Sequence, residues 1–590
     1  MKKIRSSGVA LSVAASTLCA EELTELQPLG TMDGFYRNTA VLDRTLDKSA
    51  LMWEIPVWMT ATDFPYDKKP FAKELPFADA ATVVRLLGGW MDGSQAPDRA
   101  NDVNDLAGRD ASGAIFYRWD LLKARLDPYV AQGYELTLVL DNVPHCFALK
   151  ADSGKHFGQV APPADMIEWY TFIHSMCIEI KRLYGVEIQD RLRFRMGTEM
   201  QDDRRFDGTF EEYCQVYDHA AKAVKEVFPG AGFGPFNRSM PQGNFNTFGG
   251  LVSGNVGLLK LAEHCANGIN TATGEIGSPF DFAPRSFYYF SSQKADGRLL
   301  NIQPDERMPE LKTMREAIEA VSPKYVGISR EVQEFGSHLN TEGGIYGLDT
   351  GARGAAQNFD TIVGMKAIGV DRIWHWELFE KITKDKTLLM SQGWLYSVFE
   401  RMIGGALYRV PVQVEDDHGN RLSAWLSMKA DEAVLVVSNW NPDRVEQQSE
   451  SVRLVIPNDV LPSEMRVSGM LSLTEVNSVY DVIRRDLKAA DLLAEKHLAH
   501  RGAPATTVGA GNYTSMAADR SEGRAFVAEH WSKYAALMQD SLTLQPFAGS
   551  VEVEKGSSFG QRQFARLVHS GSTTIRFEAA NPSVTVLVFK

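Results

Sequence analysis

Cysteine is scarce in this chain, and the cysteines that are present have no metal-site or redox spacing. Five occur in 590 residues, and none belongs to a Cys-x-x-Cys pair. Zinc sites need closely spaced Cys and His ligands, which are missing here. The Gly-rich patterns of nucleotide binding and the His-Glu-x-x-His pattern of zinc proteases are missing as well. The sequence therefore predicts no cofactor and no metal.

Long apolar runs and an excess of positive charge are also absent. After residue 20, no stretch reaches the roughly 18 continuous apolar residues of a transmembrane helix. The 62 Lys and Arg residues are outnumbered by 75 Asp and Glu residues, which gives a net charge of −13. A general nucleic-acid binder needs a basic face, so this balance argues against one. We expect no membrane span and no nucleic-acid partner, and the oligomeric state stays open.

The first 20 residues, MKKIRSSGVALSVAASTLCA, have the pattern of a bacterial export signal. Lys2, Lys3 and Arg5 give a positive start, and residues 8–18 are mildly apolar but too short to span a bilayer. Ala20 is an acceptable cleavage position. We therefore predict a signal peptide over 1–20 and a periplasmic or secreted protein. The alternative is a disordered amphipathic N-terminus.

Residues 76–400 alternate strand-like and helix-like segments. YELTLVLDNVP (134–144) and RLRFRMGTE (191–199) are strand-like, and the segments at 166–185 and 209–230 have apolar residues at helical spacing. A chain of this length is expected to form two or three domains. Repeated strand–helix units over about 300 residues favour an α/β fold of the (β/α)8 TIM-barrel type over a doubly wound sheet.

The pattern changes after residue 400. EAVLVVSNW (432–440), SVRLVIP (451–457) and TTIRFEAANPSVTVLVF (573–589) are typical of antiparallel strands. We predict a C-terminal antiparallel β-sandwich domain over 401–590, with a helical and loop-like insertion at about 477–540. Residues 21–75 are expected to contain strands that lead into the barrel or join the sandwich.

Three predicted barrel strands end in a glutamate: Glu199 after RFRMGT, Glu334 in EVQEFG and Glu377 in WHWEL. In TIM barrels, catalytic side chains come from the C-terminal strand ends. Hydrolysis of a glycosidic bond needs one acid to protonate the leaving oxygen and a second carboxylate on the other side of the sugar. Glu199 and Glu334 are 135 residues apart, which accommodates three strand–helix units of roughly 30 residues each together with some long loops. That spacing lets them face each other, so we predict them as the catalytic pair and Glu377 as a neighbour of the site.

Strand alternation bears on both of these glutamates. An ideal strand places Glu199 on the same face as Arg193 and Arg195. Either these arginines line the barrel interior, or a bulge breaks the alternation. An ideal strand also places Glu331, the alternative to Glu334, on the opposite face from Glu334.

Several segments resemble glycoside hydrolase family 39, a family of clan A. They are YRWDLLKARLDPYVAQGYELTLVLDNVP, RLYGVEIQDRLRFRMGTE, YDHAAKAVKEVFPGAGFGPFN, FAPRSFYYF and VQEFG. The resemblance covers about residues 76–400 and includes a β-sandwich after the barrel. It implies a retaining hydrolase that acts by double displacement, with Glu199 as acid/base and Glu334 as nucleophile. Glu331 is the alternative nucleophile.

One position departs from the pattern of these relatives. Clan members usually carry Asn before the acid/base glutamate and often Pro after it, whereas this chain has Thr198 and Met200. The resemblance implies that this Asn contacts the sugar 2-hydroxyl, so Thr198 is a predicted substrate-binding position at which the usual substrate changes. The layout is also similar to family 86 agarases and porphyranases. The expected substrate is a β-linked poly- or oligosaccharide, either a marine galactan of the agar, porphyran or carrageenan type or a xyloside.

Further substrate-binding residues are expected at strand ends. Arg85 resembles the clan arginine that steadies the nucleophile, and a cation beside a carboxylate favours its charged form. We expect Tyr288 or Tyr289 to hydrogen-bond the nucleophile, and Trp374 or Trp376 to form the floor of the sugar site. The remaining predicted contacts are His145 and Asn237. Candidates for contact with a sulfate or carboxylate group are Arg204, Arg205, Arg238 and Arg285.

Two other classes of protein stay open. A barrel that has lost catalysis would only bind a glycan, and substitution of the two glutamates would leave its affinity intact. A barrel lyase or isomerase would need a lysine or metal ligands at the site, which the strand ends do not provide. The hydrolase is the function that the paired glutamates favour.

Overall fold

The computed structural model divides into an α/β part and a part built of antiparallel sheets. The residues it describes are 81–89, 103–131, 133–150, 159–201, 205–237, 257–289, 291–293, 299–301, 304–337, 351–375, 379–383, 386–389, 391–402, 405–415, 417–442, 448–495, 514–516, 520–558 and 568–590. The predicted signal peptide and residues 21–75 lie outside these ranges.

Seven parallel strands among the described residues form the framework of the α/β part. The strands of this part are β1 (Ala81–Arg85), β2 (Ala107–Arg109), β3 (Ile115–Tyr117), β4 (Glu135–Val139), β5 (Leu192–Thr198), β6 (Gly232–Asn237), β7 (Phe282–Tyr289), β8 (Ser291–Gln293), β9 (Leu299–Asn301), β10 (Ser329–Ser337), β11 (Arg372–His375), β12 (Phe379–Thr383) and β13 (Lys386–Leu389). One parallel sheet has the order β1-β4-β5-β6 and a second has the order β11-β10-β7. The remaining strands form short antiparallel pairs.

Helices alternate with the parallel strands, as the sequence predicts. They are α1 (Trp119–Val130), α2 (Met166–Tyr184), α3 (Phe210–Val227), α4 (Leu258–Asn267), α5 (Pro304–Val321), α6 (Ala352–Ala367) and α7 (Ser391–Met402). The helix starts are specified locally. Asp165 accepts hydrogen bonds from the first turn of α2, and Thr209 and Glu212 form a capping box at the start of α3.

The two parallel sheets continue into one another and curve. The backbone nitrogen of Asp281, just before β7, donates to the carbonyl oxygen of Phe233 in β6 at 2.9 Å. Side chains of strands that are not neighbours also meet, because Arg193 on β5 pairs with Glu331 on β10. Arg372 on β11 pairs with Glu135 on β4. These contacts show that the inward-facing side chains of the two sheets meet one another.

Arg193 and Arg195 of β5 are among these inward-facing side chains, as the first of the two alternatives from strand alternation predicted. Arg195 is only 1% exposed and reaches across to β10. Outward-facing residues such as Phe194, Val332 and Ile373 belong to the hydrophobic core between strands and helices. The bulge is present as well, but on β10, where the register shifts between Val332 and Glu334.

The C-terminal part contains antiparallel sheets. Its strands are β14 (Ala406–Val410), β15 (Val412–Val414), β16 (Arg421–Met428), β17 (Ala433–Trp440), β18 (Glu450–Pro457), β19 (Val467–Thr474), β20 (Leu493–Glu495), β21 (Thr514–Met516), β22 (Ser550–Ser558), β23 (Val568–Ala579) and β24 (Ser583–Phe589). A five-stranded sheet has the order β14-β16-β17-β24-β19, and a four-stranded sheet has the order β15-β18-β23-β22. Leu435 and Leu587 of the first sheet share a hydrophobic cluster with Ile456 and Ile575 of the second. Between β19 and β22, the described residues form three helices: α8 (Val479–Ala489), α9 (Arg520–Glu529) and α10 (Trp531–Ser541).

The described residues also bear on the membrane and cysteine patterns. Among them, none of the helices combines the length and apolarity needed to cross a bilayer.

The four cysteines from Cys146 onward are buried free thiols. Burial raises the pKa of the Cys146 thiol to about 12, which makes it an unreactive core residue.

Candidate active site

Glu199 lies where β5 stops being a regular strand. Gly197 has a φ of 91° and Glu199 a φ of 51°, so the chain turns sharply over three residues. A non-glycine residue in this left-handed region is uncommon, and such residues cluster at functional sites. The backbone nitrogen of Glu199 donates to the carbonyl oxygen of Asn237 at the end of β6, at 3.1 Å. The turn therefore fixes the acid between two strand ends.

The bulge on β10 brings Glu334 to the interior. Glu331 and Gln333 face inward, because Glu331 pairs with Arg193 and Gln333 with Arg195. After the register shift, Glu334 lies level with Ser286 of β7. Its Oε1 is 3.9 Å from Nη2 of Arg85. The expectation that Glu331 and Glu334 face opposite sides is therefore wrong, because the extra residue of the bulge returns Glu334 to the inner face.

Glu331 is held in a buried ion-pair network of its own. It pairs with Arg193 and lies 4.0 Å from Nε of Arg372. It also accepts hydrogen bonds from Ser329 at 2.7 Å and from Gln333 at 2.6 Å. Both of its oxygens are occupied by partners below the strand ends. This arrangement suits a structural role better than attack on a sugar.

Arg205 and Ser286 lie at the Glu199 carboxyl group, and Asn237 holds Ser286. Nη2 of Arg205 lies 3.8 Å from Oε2 of Glu199, and the Ser286 hydroxyl hydrogen-bonds to the carboxyl. Asn237 donates from Nδ2 to the Ser286 oxygen at 2.8 Å. Because that oxygen already accepts from Asn237, the single Ser286 proton is available for Glu199. The chain Asn237–Ser286–Glu199 thus orients the acid.

The electrostatics of the site favour a protonated Glu199. Burial and, after it, the negative charge of Glu334 raise the pKa of Glu199 to about 7, against the opposing effects of Arg205, Ser286 and Arg85. A carboxyl group with a pKa near neutrality can donate a proton and later take one back. Glu334 instead has the Arg85 guanidinium beside it, which supplies a positive charge to a carboxylate.

The other predicted residues divide into those near the pair and those elsewhere. Arg85 lies 3.8 Å from Asp141 as well as near Glu334, and Thr198 and Asn237 are fully buried beside Glu199. His145 is buried and holds Asp105, with its Nδ1 3.0 Å from Oδ2. Trp374 is buried on β11.

Several predicted positions have no described side chain. Tyr288 and Tyr289 are the last residues of β7, and their backbones pair with Gly336 and Ser337, but their side chains are outside the described part. Trp376, Glu377, Arg204 and Arg238 also lie outside the described residues.

Arg285 faces away from the site. It is fully buried, and its Nη1 donates to the Met314 sulfur of α5 at 3.4 Å. The expectation that Arg285 meets a sulfate or carboxylate group is therefore wrong, because its strand directs it outward into the packing between β7 and α5. Arg205, in contrast, lies at the Glu199 carboxyl group.

Sequence reasoning missed Asp141, Ser286 and Gln333 at this site. Asp141 follows β4 as Glu199 follows β5, so the strand-end rule could have found it. Ser286 is a small polar residue inside the apolar strand FAPRSFYYF, which is a weaker signal. Among the described residues, no group of three or more His, Cys, Asp and Glu side chains could hold a metal ion.

Comparison with known proteins supports a glycosidase. Residues 100–334 match the family model of glycosyl hydrolases family 39. The match contains Glu199 and ends at Glu334. This segment is a glycoside hydrolase family 39 domain, and the prediction of that family is confirmed.

Solved structures of family 39 enzymes share the fold. A monomeric β-xylosidase from Caulobacter crescentus CB15 superposes with a TM-score of 0.57 over 96% of this chain and 98% of its own, at 16% identity. The family 39 enzyme from Xanthomonas axonopodis pv. citri has a TM-score of 0.55 over 95% of each chain, at 13% identity. A bacterial orthologue of human α-L-iduronidase has a TM-score of 0.57 over 95% of this chain and 82% of its own, at 11% identity. At these identities the likeness concerns the fold, a TIM-barrel-like α/β domain with antiparallel sheets in the C-terminal part.

A curated relative matches a smaller region. An α-1,4-L-rhamnosidase from Formosa agariphila is 28% identical over 162 residues, which are 26% of this chain and 32% of the relative. This chain therefore aligns with only about a third of that enzyme's length.

Proposed function

We propose that this protein is a retaining glycoside hydrolase in which Glu199 is the acid/base and Glu334 the nucleophile. The observation that carries the proposal is the environment of Glu199: burial and the Glu334 charge raise its pKa to about 7, while Glu334 has Arg85 at 3.9 Å. Two carboxyl groups whose surroundings differ in this way suit an acid and a nucleophile. The family 39 domain over 100–334 supports the assignment.

In the first step, a Glu334 oxygen attacks the anomeric carbon while protonated Glu199 gives its proton to the leaving glycosidic oxygen. The bond from the anomeric carbon to the leaving oxygen breaks, and an ester between the sugar and Glu334 forms. The Ser286 hydroxyl and Arg205 then stabilise the negative charge that remains on Glu199. Departure of the first product leaves the glycosyl-enzyme intermediate.

In the second step, the Glu199 carboxylate takes a proton from a water molecule, whose oxygen attacks the same carbon. The ester to Glu334 breaks, the sugar leaves with its original anomeric configuration, and Glu199 is protonated again. The Arg85 guanidinium group stabilises the negative charge that returns to Glu334. Both protonation states of Glu199 are used, which a pKa near the working pH permits.

The substrate proposal is a glycoside of a poly- or oligosaccharide. The candidate substrates remain the β-linked galactans and xylosides that the sequence suggested. Because the Formosa agariphila relative is named an α-1,4-L-rhamnosidase, we add L-rhamnosides to these candidate substrates. We further propose that the parallel strands close into a (β/α)8 barrel, that the two antiparallel sheets form a sandwich, and that residues 1–20 direct export.

Purified protein tests the proposal on a panel of aryl β-xylosides, α-L-rhamnosides and α-L-iduronides, together with agar, porphyran and carrageenan oligosaccharides. Proton NMR of the first product should show the anomeric configuration of the substrate. Glu199→Gln and Glu334→Gln should each abolish turnover of unactivated substrates, whereas Glu168→Gln, a partly exposed control, should not. Inversion of configuration would overturn the double displacement. Binding without turnover in the wild type would favour the glycan-binding alternative.

A further inference from the structure

Two hydrogen bonds place Arg195 between the residues that precede the proposed catalytic glutamates. Its Nη1 donates to Oε1 of Gln333 at 2.9 Å, and its Nη2 donates to Oγ1 of Thr198 at 2.8 Å. Thr198 immediately precedes Glu199, and Gln333 immediately precedes Glu334. One guanidinium group thus bridges β5 and β10, which are not neighbours in the sheet.

The bridge is buried. Thr198 is 0% exposed and Gln333 1%, so neither bond competes with water. A guanidinium group is planar and presents its N–H groups in a fixed fork. Its charge-assisted bonds are also stronger in a low-dielectric interior. The distance between the two attachment points is therefore set by the geometry of Arg195.

Burial of this arginine costs free energy that nearby carboxyl groups partly offset. Burial lowers the pKa of Arg195 to about 10, against the opposing effects of Glu334, Asp141 and Glu199. A hydrophobic residue could fill the same space without that cost. The two bonds to Thr198 and Gln333 are interactions that such a hydrophobic residue could not make.

Both ends of the bridge are anchored in the strands. On β5, the turn at Gly197 brings Oγ1 of Thr198 towards Arg195. A Cβ atom at Gly197 would lie 2.1 Å from Cε of Met200. On β10, the Gln333 amide nitrogen donates to Glu331 at 2.6 Å, and Glu331 is itself paired with Arg193. The amide is thereby fixed with its oxygen towards Arg195.

We propose that Arg195 is a positioning residue that sets the separation of the Glu199 and Glu334 carboxyl groups, with Thr198 and Gln333 as its two attachment points. The proposal rests on the proposed function. Retaining hydrolases need the two carboxyl groups about 5–5.5 Å apart, and inverting ones about 6.5–9.5 Å. Catalytic groups must also be held to within about 0.5 Å. Thr198 then affects catalysis through Arg195, because its buried hydroxyl accepts a hydrogen bond from that guanidinium group.

Thr198→Val tests this bridge, because valine keeps the shape and removes the acceptor oxygen. We expect kcat to fall about tenfold to 100-fold with KM changed less than about twofold, because substrate contacts are kept. Thr198→Ser keeps the oxygen and should restore kcat. The matched control is Thr137→Val, a buried threonine on β4 that lies beside Arg193 in register. Its melting temperature should fall as in Thr198→Val, with kcat and the pH profile unchanged.

The outcomes separate this proposal from the proposed function. If the wild type is active and Thr198→Val matches Thr137→Val in kcat and pH profile, the bridge does not position the pair. If the wild type hydrolyses no glycoside, the proposed function fails, and crystal structures of the wild type and Thr198→Val still decide the inference. A change of more than about 0.5 Å in the carboxyl separation supports the bridge, and an unchanged separation overturns it. Arg195→Met should show the same loss of kcat. If Arg195→Met does not fold, the test rests on Thr198→Val alone.

Discussion

At the scale of single residues, the pKa of Glu199 determines how activity depends on pH. With a pKa of about 7, the acid loses its proton as the pH rises through neutrality, so kcat/KM should fall above about pH 7. The Ser286 hydrogen bond lowers this pKa. Ser286→Ala should therefore move the alkaline limb of the pH profile upward and lower kcat several-fold. Ser329→Ala, which removes a hydrogen bond to Glu331 instead, should leave the limb in place.

Substitution of Glu331 and of Glu334 should have different effects on activity and on thermal stability. Glu334→Gln should lower kcat by on the order of 10³-fold or more with little change in melting temperature, because the nucleophile is lost and the packing is kept. Glu331→Gln leaves the buried Arg193 without its carboxylate partner, so it should lower the melting temperature clearly. Steady-state kinetics and thermal melts of both variants check this. A catalytic loss at Glu331 with full activity in Glu334→Gln would contradict the assignment.

At the scale of elements, the turn at the end of β5 depends on Gly197. Alanine there is strained at a φ of 91° and would bring its Cβ to 2.1 Å from Met200. Gly197→Ala should cost more than the roughly 1–2 kcal/mol of a left-handed alanine alone and should lower kcat, because Glu199 moves. Gly274→Ala is the matched control. It has a φ of 77° with no atom within 4 Å of the new Cβ, so it carries the strain without the clash.

The same elements show what the sequence could and could not predict. The strand predicted at 191–199 is Leu192–Thr198, because an apolar run before a polar segment is a local signal. The bulge that turns Glu334 inward is not local. It depends on how β10 pairs with β7, and strict alternation therefore misplaced Glu331 relative to Glu334. The bridge of Arg195 between β5 and β10 was hidden for the same reason, since its two ends meet only in the folded chain.

At the scale of the whole molecule, the site costs stability as the pH rises. The pKa of Glu199 is higher in the folded protein, at about 7, than its ordinary value of 4.5. The folded state therefore binds this proton more tightly, and the resulting stability is full below about pH 4.5 and is lost as the pH rises through about 7.

Glu199→Gln cannot ionise and should escape this loss. Its advantage over the wild type in the free energy of unfolding should grow between about pH 4.5 and pH 8 by at most about 3 kcal/mol. Urea unfolding at several pH values checks this. Glu168→Gln should show no such growth, and a constant difference for Glu199→Gln would mean that its pKa is not raised.

The most direct test of the central claim is the identity of the residue that forms the covalent intermediate. A 2-deoxy-2-fluoro glycoside with an activated leaving group, matched to the best substrate of the panel, should inactivate the enzyme with the addition of one sugar. Peptide mass spectrometry should place that sugar on Glu334, and Glu334→Gln should not be labelled. A label on Glu331, or hydrolysis of substrate without any labelling, would contradict the account.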